Sequence, residues 1–268
     1  MMNKKRSKIT SWIPLILMLL FFYGPILIMI IYSFNDSKSV TVWSGFSMRW
    51  YDKLFTSRDI MDSVKTSVVI ALIATAVSTV VGTITAIGIS KHKKLVKKTV
   101  LTINNFPVLN PEIVTAISLM LLFSSVKIFK MGFATMLIAH ITFCIPYVIL
   151  TVLPKLRKLD PSLADAAMDL GATPSQALWK VIIPQLMPAI ISGALIAFTM
   201  SFDDFVISYF VTGDGVSNIS IMVYTMSKRF DPTINALSTI IIVIITVLLL
   251  IINIVPSLKR GTRKVKVS

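Results

Sequence analysis

The sequence predicts an all-α polytopic membrane protein with six transmembrane helices. Three observations carry that expectation. Hydrophobic residues make up 55% of the 268 and charged residues 15%, where a soluble domain carries about 25% charge. Several uncharged runs reach ~20 residues, the length at which a helix crosses a bilayer core while satisfying its own backbone. The basic residues also gather on alternate loops, which orients such a bundle.

Residues 12–32 are uncharged and predict a first span over about 12–34. The opening MMNKKRSKITSWIPLILMLLFF has the basic and apolar regions of a signal peptide. Its apolar part is too long, and no small-x-small cleavage site precedes Asn35, so an uncleaved span is expected. The loop 35–65 holds Trp43, Trp50 and Tyr51, which suit a headgroup-level belt or a short surface helix. A second span is expected over 66–90. The third, 99–126, carries Glu112 and is interrupted by Asn104, Asn105, Pro107, Asn110 and Pro111. The fourth, 131–153, contains no Asp, Glu, Lys or Arg, and its His140 need not be charged. The fifth and sixth are expected over 181–211 and 232–257. Gly82 with Ala86, and Ser192 and Ala197, are small residues suited to close helix contact in lipid. No internal repeat or linker divides the chain, so one domain over 1–268 is expected.

With both termini cytoplasmic, 18 of the 27 basic residues fall on the inner side. They lie before residue 9, over 91–98, at 155–158 and 180, and beyond 258. Anionic lipid in the bilayer is the partner for these clusters; a +15 charge distributed in this way calls for no nucleic acid. The single cysteine, Cys144, excludes an intramolecular disulfide and any CxxC site. His92 sits in a lysine run, and His140 suits a helix–helix hydrogen bond better than a metal. No metal site, cofactor or catalytic constellation emerges. The chain has no GxxxxGK[ST] phosphate loop, so it cannot be an ATPase itself.

One inner loop carries more local signals than its length requires. Residues 160–188 read DPSLADAAMDLGATPSQALWKVIIPQLMP. Asp160 is a good N-cap and Pro161 fits the first helical position. Leu163, Ala166, Ala167 and Leu170 recur at helical spacing as an apolar face, with Asp165 and Asp169 on another. Gly171 is placed to terminate the helix with positive φ. Thr173-Pro174-Ser175-Gln176 is a capping box that starts a second helix. Pro184 and Pro188 are then expected to kink or break that helix. So small an apolar face, flanked by acids, fits a groove on another protein better than it fits anionic lipid.

These residues resemble the EAA loop of binding-protein-dependent ABC importer permeases. The family pattern is Glu-Ala-Ala, three residues, Gly, nine residues, then Ile, any residue, Leu-Pro. Here the positions read Asp165-Ala166-Ala167, Gly171 and Val181-Ile182-Ile183-Pro184, with three conservative departures and intact spacing. The stretches SFNDS, TVWSGFSMRWY, AHITFCIPYV and FDDFVISYFVTG are further similar to the second permease subunit of spermidine/putrescine importers, the PotC type. The resemblance implies a type I ABC importer permease fold in a bacterial cell membrane. It implies that the loop 155–184 is a coupling helix unit whose Asp165, Ala166, Ala167, Leu170 and Gly171 meet a cytoplasmic ATPase dimer. It also implies a homologous second permease subunit and an extracytoplasmic substrate-binding protein.

Acids within spans are costly and usually face a cavity or partner. Asp203 and Asp204 follow the fifth uncharged run, and Glu112 stands at the irregular part of the third. A polyamine path needs spaced carboxylates and aromatic faces, so Glu112, Asp203, Asp204 and Tyr209 are candidates for it. Adjacent helical positions diverge by about 100°, so at most one of Asp203 and Asp204 can face a straight path. The acids could equally cap a broken helix or pair with a partner. The same architecture could carry thiamine, ferric iron or an anion. An ion-coupled secondary transporter is the alternative from another class, distinguished by uptake that survives ATP depletion.

Overall fold

Within an uncharged run the backbone finds no partner in lipid except itself, so helix forms. In the computed structural model, which describes residues 3–39, 42–126, 130–213 and 215–263, helix accounts for nearly all regular structure. The only β feature among those residues is an isolated bridge between Asn35 and Phe46.

Twelve α-helices occur in order among the described residues: α1 (Asn3–Tyr32), α2 (Arg49–Thr56), α3 (Arg58–Lys91), α4 (Lys94–Leu109), α5 (Glu112–Val126), α6 (Phe133–Arg157), α7 (Ser162–Asp169), α8 (Pro174–Ala177), α9 (Ile183–Asp203), α10 (Val206–Val211), α11 (Ile219–Lys228) and α12 (Thr233–Arg263). Among the described residues, four helical stretches are long and apolar enough to cross a membrane: Trp12–Tyr32, Arg58–Lys91, Phe133–Arg157 and Pro174–Asp203. The pair α4–α5 passes the same test as one span bent by 104°. α12 is apolar from Thr233 to Val247, and its backbone stays helical to Arg263.

Two details differ from the sequence expectation. Asn104, Asn105 and Pro107 lie inside α4 and do not interrupt it. The bend falls wholly at Asn110-Pro111, because a residue before proline is pushed out of the helical region, and Asn110 has ψ 149°. Pro184 and Pro188 do not break their helix either. A π-turn over Leu178–Ile182 precedes Pro184, with the Ile183 N–H donating to the Leu178 carbonyl. The wider turn shifts the carbonyls that the proline ring would otherwise meet.

The chain forms two compact units, Met1–Met61 with Val223–Ser268, and Asp62–Met222. In the first, Trp50 is 3% exposed and its indole N–H donates to the Asn35 carbonyl at 2.6 Å. Tyr51 pairs its hydroxyl with Ser33 at 2.8 Å, and its ring lies against Phe34. Of the three aromatics expected at a headgroup belt, only Trp43 is exposed; the other two anchor the loop before α2. Lys53 on α2 meets Asp231 at 2.7 Å, just before α12.

In the second unit α6 lies at the centre, burying Met136, Ala139, Phe143, Cys144, Val148 and Val152. Val148 is wedged between two glycines. A Cβ on Gly82 of α3 would stand 2.7 Å from Val148, and one on Gly193 of α9 would stand 3.5 Å from it. Small residues thus bring three backbones together, the usual means of helix association in lipid. Gly82, Ala86 and Ala197 are buried as expected; Ser192 is exposed, and the neighbouring Gly193 makes the contact in its place.

Candidate functional site

The loop after α6 forms the first candidate site. The Asp160 carboxylate accepts the Ser162 N–H at 2.9 Å and its hydroxyl at 2.7 Å, which starts α7 one residue beyond Pro161. Those two donors, the backbone N–H above all, hold the Asp160 carboxyl below its ordinary value. At the other end Gly171 takes φ +88°. Its N–H donates to the Met168 carbonyl at 2.8 Å, and that of Ala172 donates to Ala167 at 3.0 Å. These paired bonds are the Schellman closure, which requires the left-handed residue that glycine supplies. The second helix begins as expected: the Gln176 N–H donates to Thr173 Oγ1 at 3.3 Å, and the Thr173 N–H donates to Gln176 Oε1 at 3.0 Å.

The apolar face expected for α7 is divided. Leu163 and Ala167 are half-buried, whereas Ala166 is exposed and Leu170 is 91% exposed. Leu170 is the C-cap, with ψ 11°, so it leaves the helical stripe that the sequence spacing assumed. Asp165, Ala166, Asp169 and Leu170 therefore stand together at the surface, with Trp179 beyond them at 65% exposure. The exposed side is thus a short rigid knob with one projecting leucine, two acids and a small residue that permits close approach.

The acids form the second candidate site. Glu112 opens α5 directly after the 104° bend. It lines a cavity of about 120 Å³ whose other walls include Asn110, Thr115, Phe143, Tyr147 and Met200. Its carboxyl interacts with those of Asp204 and Asp203, and the Tyr147 hydroxyl interacts with Glu112. Asp203 ends α9 and is exposed. Asp204 is buried in the break between α9 and α10. Its carboxylate accepts the N–H of Ile207 at 3.2 Å, and the N–H and hydroxyl of Ser208, each at 2.7 Å. It lies 3.3 Å from His140 Nε2. Of the four predicted path residues only Glu112 lines the cavity; Asp203, Asp204 and Tyr209 do not, and the Tyr209 ring lies against Phe205 and Phe210.

Sequence reasoning assigned no role here to Phe143, Tyr147 or Asn218. His140, Phe143 and Tyr147 recur at three- and seven-residue intervals on α6, a single helical face, and that spacing was the available signal. Asn218 gave none, because its partners are fourteen and ten residues earlier: the Asp204 carbonyl at 3.0 Å and Ser208 Oγ at 2.8 Å.

A family profile described as "Binding-protein-dependent transport system inner membrane component" matches residues 78–258. The Escherichia coli K12 protein named "Putrescine transport system permease protein PotI" is 39% identical over 247 residues, covering 87% of this chain and 86% of its own. "Spermidine/putrescine transport system permease protein PotC" of Haemophilus influenzae is 38% identical, covering 84% and 87%. Among solved structures, a bacterial ABC transporter importing the acidic polysaccharide alginate superimposes with a TM-score of 0.70 at 14% identity, covering 98% of this chain and 97% of that one. At that identity the likeness establishes the fold, while the profile and the relatives establish the lineage. The chain belongs to the family of binding-protein-dependent transport system inner membrane components.

Proposed function

We propose that this protein is the permease half of an ATP-driven polyamine importer, carrying putrescine or spermidine. The cargo reading is supported by relatives at 36–39% identity whose names specify putrescine and spermidine. The observation that carries it to this chain's own residues is the cavity at Glu112. A protonated amine needs an anion and an aromatic face, and Glu112 stands there with Tyr147 and Phe143; a cation over such a ring gains about 0.5–2 kcal/mol, more when water is excluded.

The knob at α7 supplies the drive. Without a phosphate loop the chain must take its power stroke from a separate ATPase dimer on the cytoplasmic side. Asp165, Ala166, Leu170 and the turn at Gly171 are the surface that dimer grips. A homologous second permease completes the path, and a binding protein delivers cargo from outside. Both termini are then cytoplasmic, and the basic clusters face the inner leaflet. One domain, coupled through residues 155–184, spans the chain.

The test is uptake of labelled putrescine and spermidine by cells whose only polyamine importer contains this chain. Uptake should stop on ATP depletion and persist when the proton gradient alone is collapsed. Unlabelled polyamines should compete, and thiamine or ferric iron should not. Glu112→Gln should lower uptake about tenfold per assembled complex, the loss of one charge-assisted contact. An unchanged rate would remove Glu112 from the path.

A further inference from the structure

α6 presents His140, Phe143 and Tyr147 on one face. Phe143 and Tyr147 wall the cavity, and His140 packs edge-on against Phe143 at 5.4 Å. His140 is 1% exposed, and the sequence gives it no task beyond a helix–helix hydrogen bond. We propose that His140 is a positioning residue for the cation path, acting through Asp204. This rests on the polyamine reading above.

The imidazole straddles the break between α9 and α10. Nδ1 is 2.7 Å from Ser201 Oγ on α9, and Nε2 is 2.9 Å from Ser208 Oγ on α10. Nε2 also faces Asp204 Oδ2 at 3.3 Å. One ring thus ties together both helices and the acid between them. Asn218 braces the same point through the Asp204 carbonyl and the Ser208 hydroxyl. His140, Ser201, Asp204, Ser208 and Asn218 are all at least nine-tenths buried. Such a closed polar network fixes one geometry, because breaking any link strands a buried polar group.

The consequence is a division of labour among the acids. Three protein donors and the imidazole already occupy the Asp204 carboxylate, so it is held as an anchor and is not offered to an amine. Glu112 in the cavity wall and Asp203, the exposed neighbour of Asp204, are left to meet the substrate. His140 sets their spacing by locking the break from which Asp203 emerges. Removing the ring takes one of four partners from the Asp204 carboxylate and, at once, the side-chain tie between α9 and α10.

The whole importer is the material for the test, with labelled putrescine uptake divided by the amount of assembled complex in the membrane. His140→Ala should lower that quotient about tenfold, since it strands buried partners. His140→Gln, which keeps a donor and an acceptor, should stay within about threefold of the native rate. In an Asp204→Asn background His140→Ala should add less than about twofold, because residues acting as one unit are not additive. A purely structural histidine would reduce the amount of complex and leave the quotient unchanged; that result overturns the proposal. Losses that multiply in full across the double variant overturn it as well. Should His140→Ala fail to accumulate, His140→Asn replaces it in the cycle under the same criteria. The Glu112→Gln rate, measured in parallel, reports separately on the cation reading: unchanged Glu112→Gln uptake with a His140 effect sinks that reading and leaves His140 coupled to Asp204 alone.

Discussion

Gly171 shows how one residue's conformation can be separated from its contacts. A Cβ at this position would meet nothing within 4 Å, yet φ is +88°, so the cost of a side chain is backbone strain alone. For an ordinary L-residue that strain is about 1–2 kcal/mol, and asparagine tolerates the region best. Gly171→Val should abolish most uptake while leaving membrane insertion intact, and Gly171→Asn and Gly171→Asp should retain a larger share of it. Equal uptake by all three variants would mean that the turn does not set the knob. Asp231 offers a second test at this scale. Partial burial pushes its carboxyl up, but hydrogen bonds from Lys53 and Thr233 and the lysine charge outweigh that and hold it below the usual carboxylate range. A depressed folded value contributes stability above the unfolded value, about pH 3.9, and that stability is lost as pH falls through the folded one. Because Lys53 is 48% exposed, Lys53→Met should cost under about 1 kcal/mol at neutral pH. The difference in thermal midpoint from the native protein should shrink with salt and vanish at strongly acidic pH. Gly171, the Thr173 capping box and Asp160 were legible in the sequence because each acts within four residues. The exposure of Leu170 was not, since helical spacing grouped it with Leu163 on one apolar face although it is the C-cap before Gly171.

Among the elements, the closest approach is made at Val148. Gly82→Ala would place a methyl 2.7 Å from the Val148 Cβ and Cγ1, atoms fixed to a β-branched side chain on a packed helix. Overpacking of this kind costs about 1–3 kcal/mol. The thermal midpoint of Gly82→Ala should therefore fall, and Val148→Ala in the same chain should recover part of the loss. No fall would mean that α3 and α6 can separate freely. The existence of the helices was readable from run length, and so was the irregularity around Asn110-Pro111. The π-turn before Pro184 was not, because the proline signal says that a helix is disturbed without saying how the backbone absorbs it. A helix broken at Asp203-Asp204 was open in the sequence as an alternative, but what holds the break was hidden for a different reason. Its stabilising partners, His140 and Asn218, lie 64 residues before and 14 after Asp204, and periodicity carries no information at that range.

At the scale of the molecule, the sequence pattern, the helical fold of the described residues and the family match agree on a transport-system membrane component. Its exposed knob and the cavity at Glu112 both belong to the unit Asp62–Met222, so the proposed coupling surface and the proposed path share one compact body. The chain leaves that body through α3 and α11, each of which continues into the other unit. The central claim is that α7 is gripped by a separate nucleotide-driven partner. A cysteine at Ala166 or Leu170, in a Cys144→Ser background so that no other thiol is present, tests it directly by crosslinking in native membranes. The importer's ATPase should be captured, in a yield that changes when nucleotide is added. Crosslinks that reach only lipid or this chain itself, with and without ATP, would contradict it.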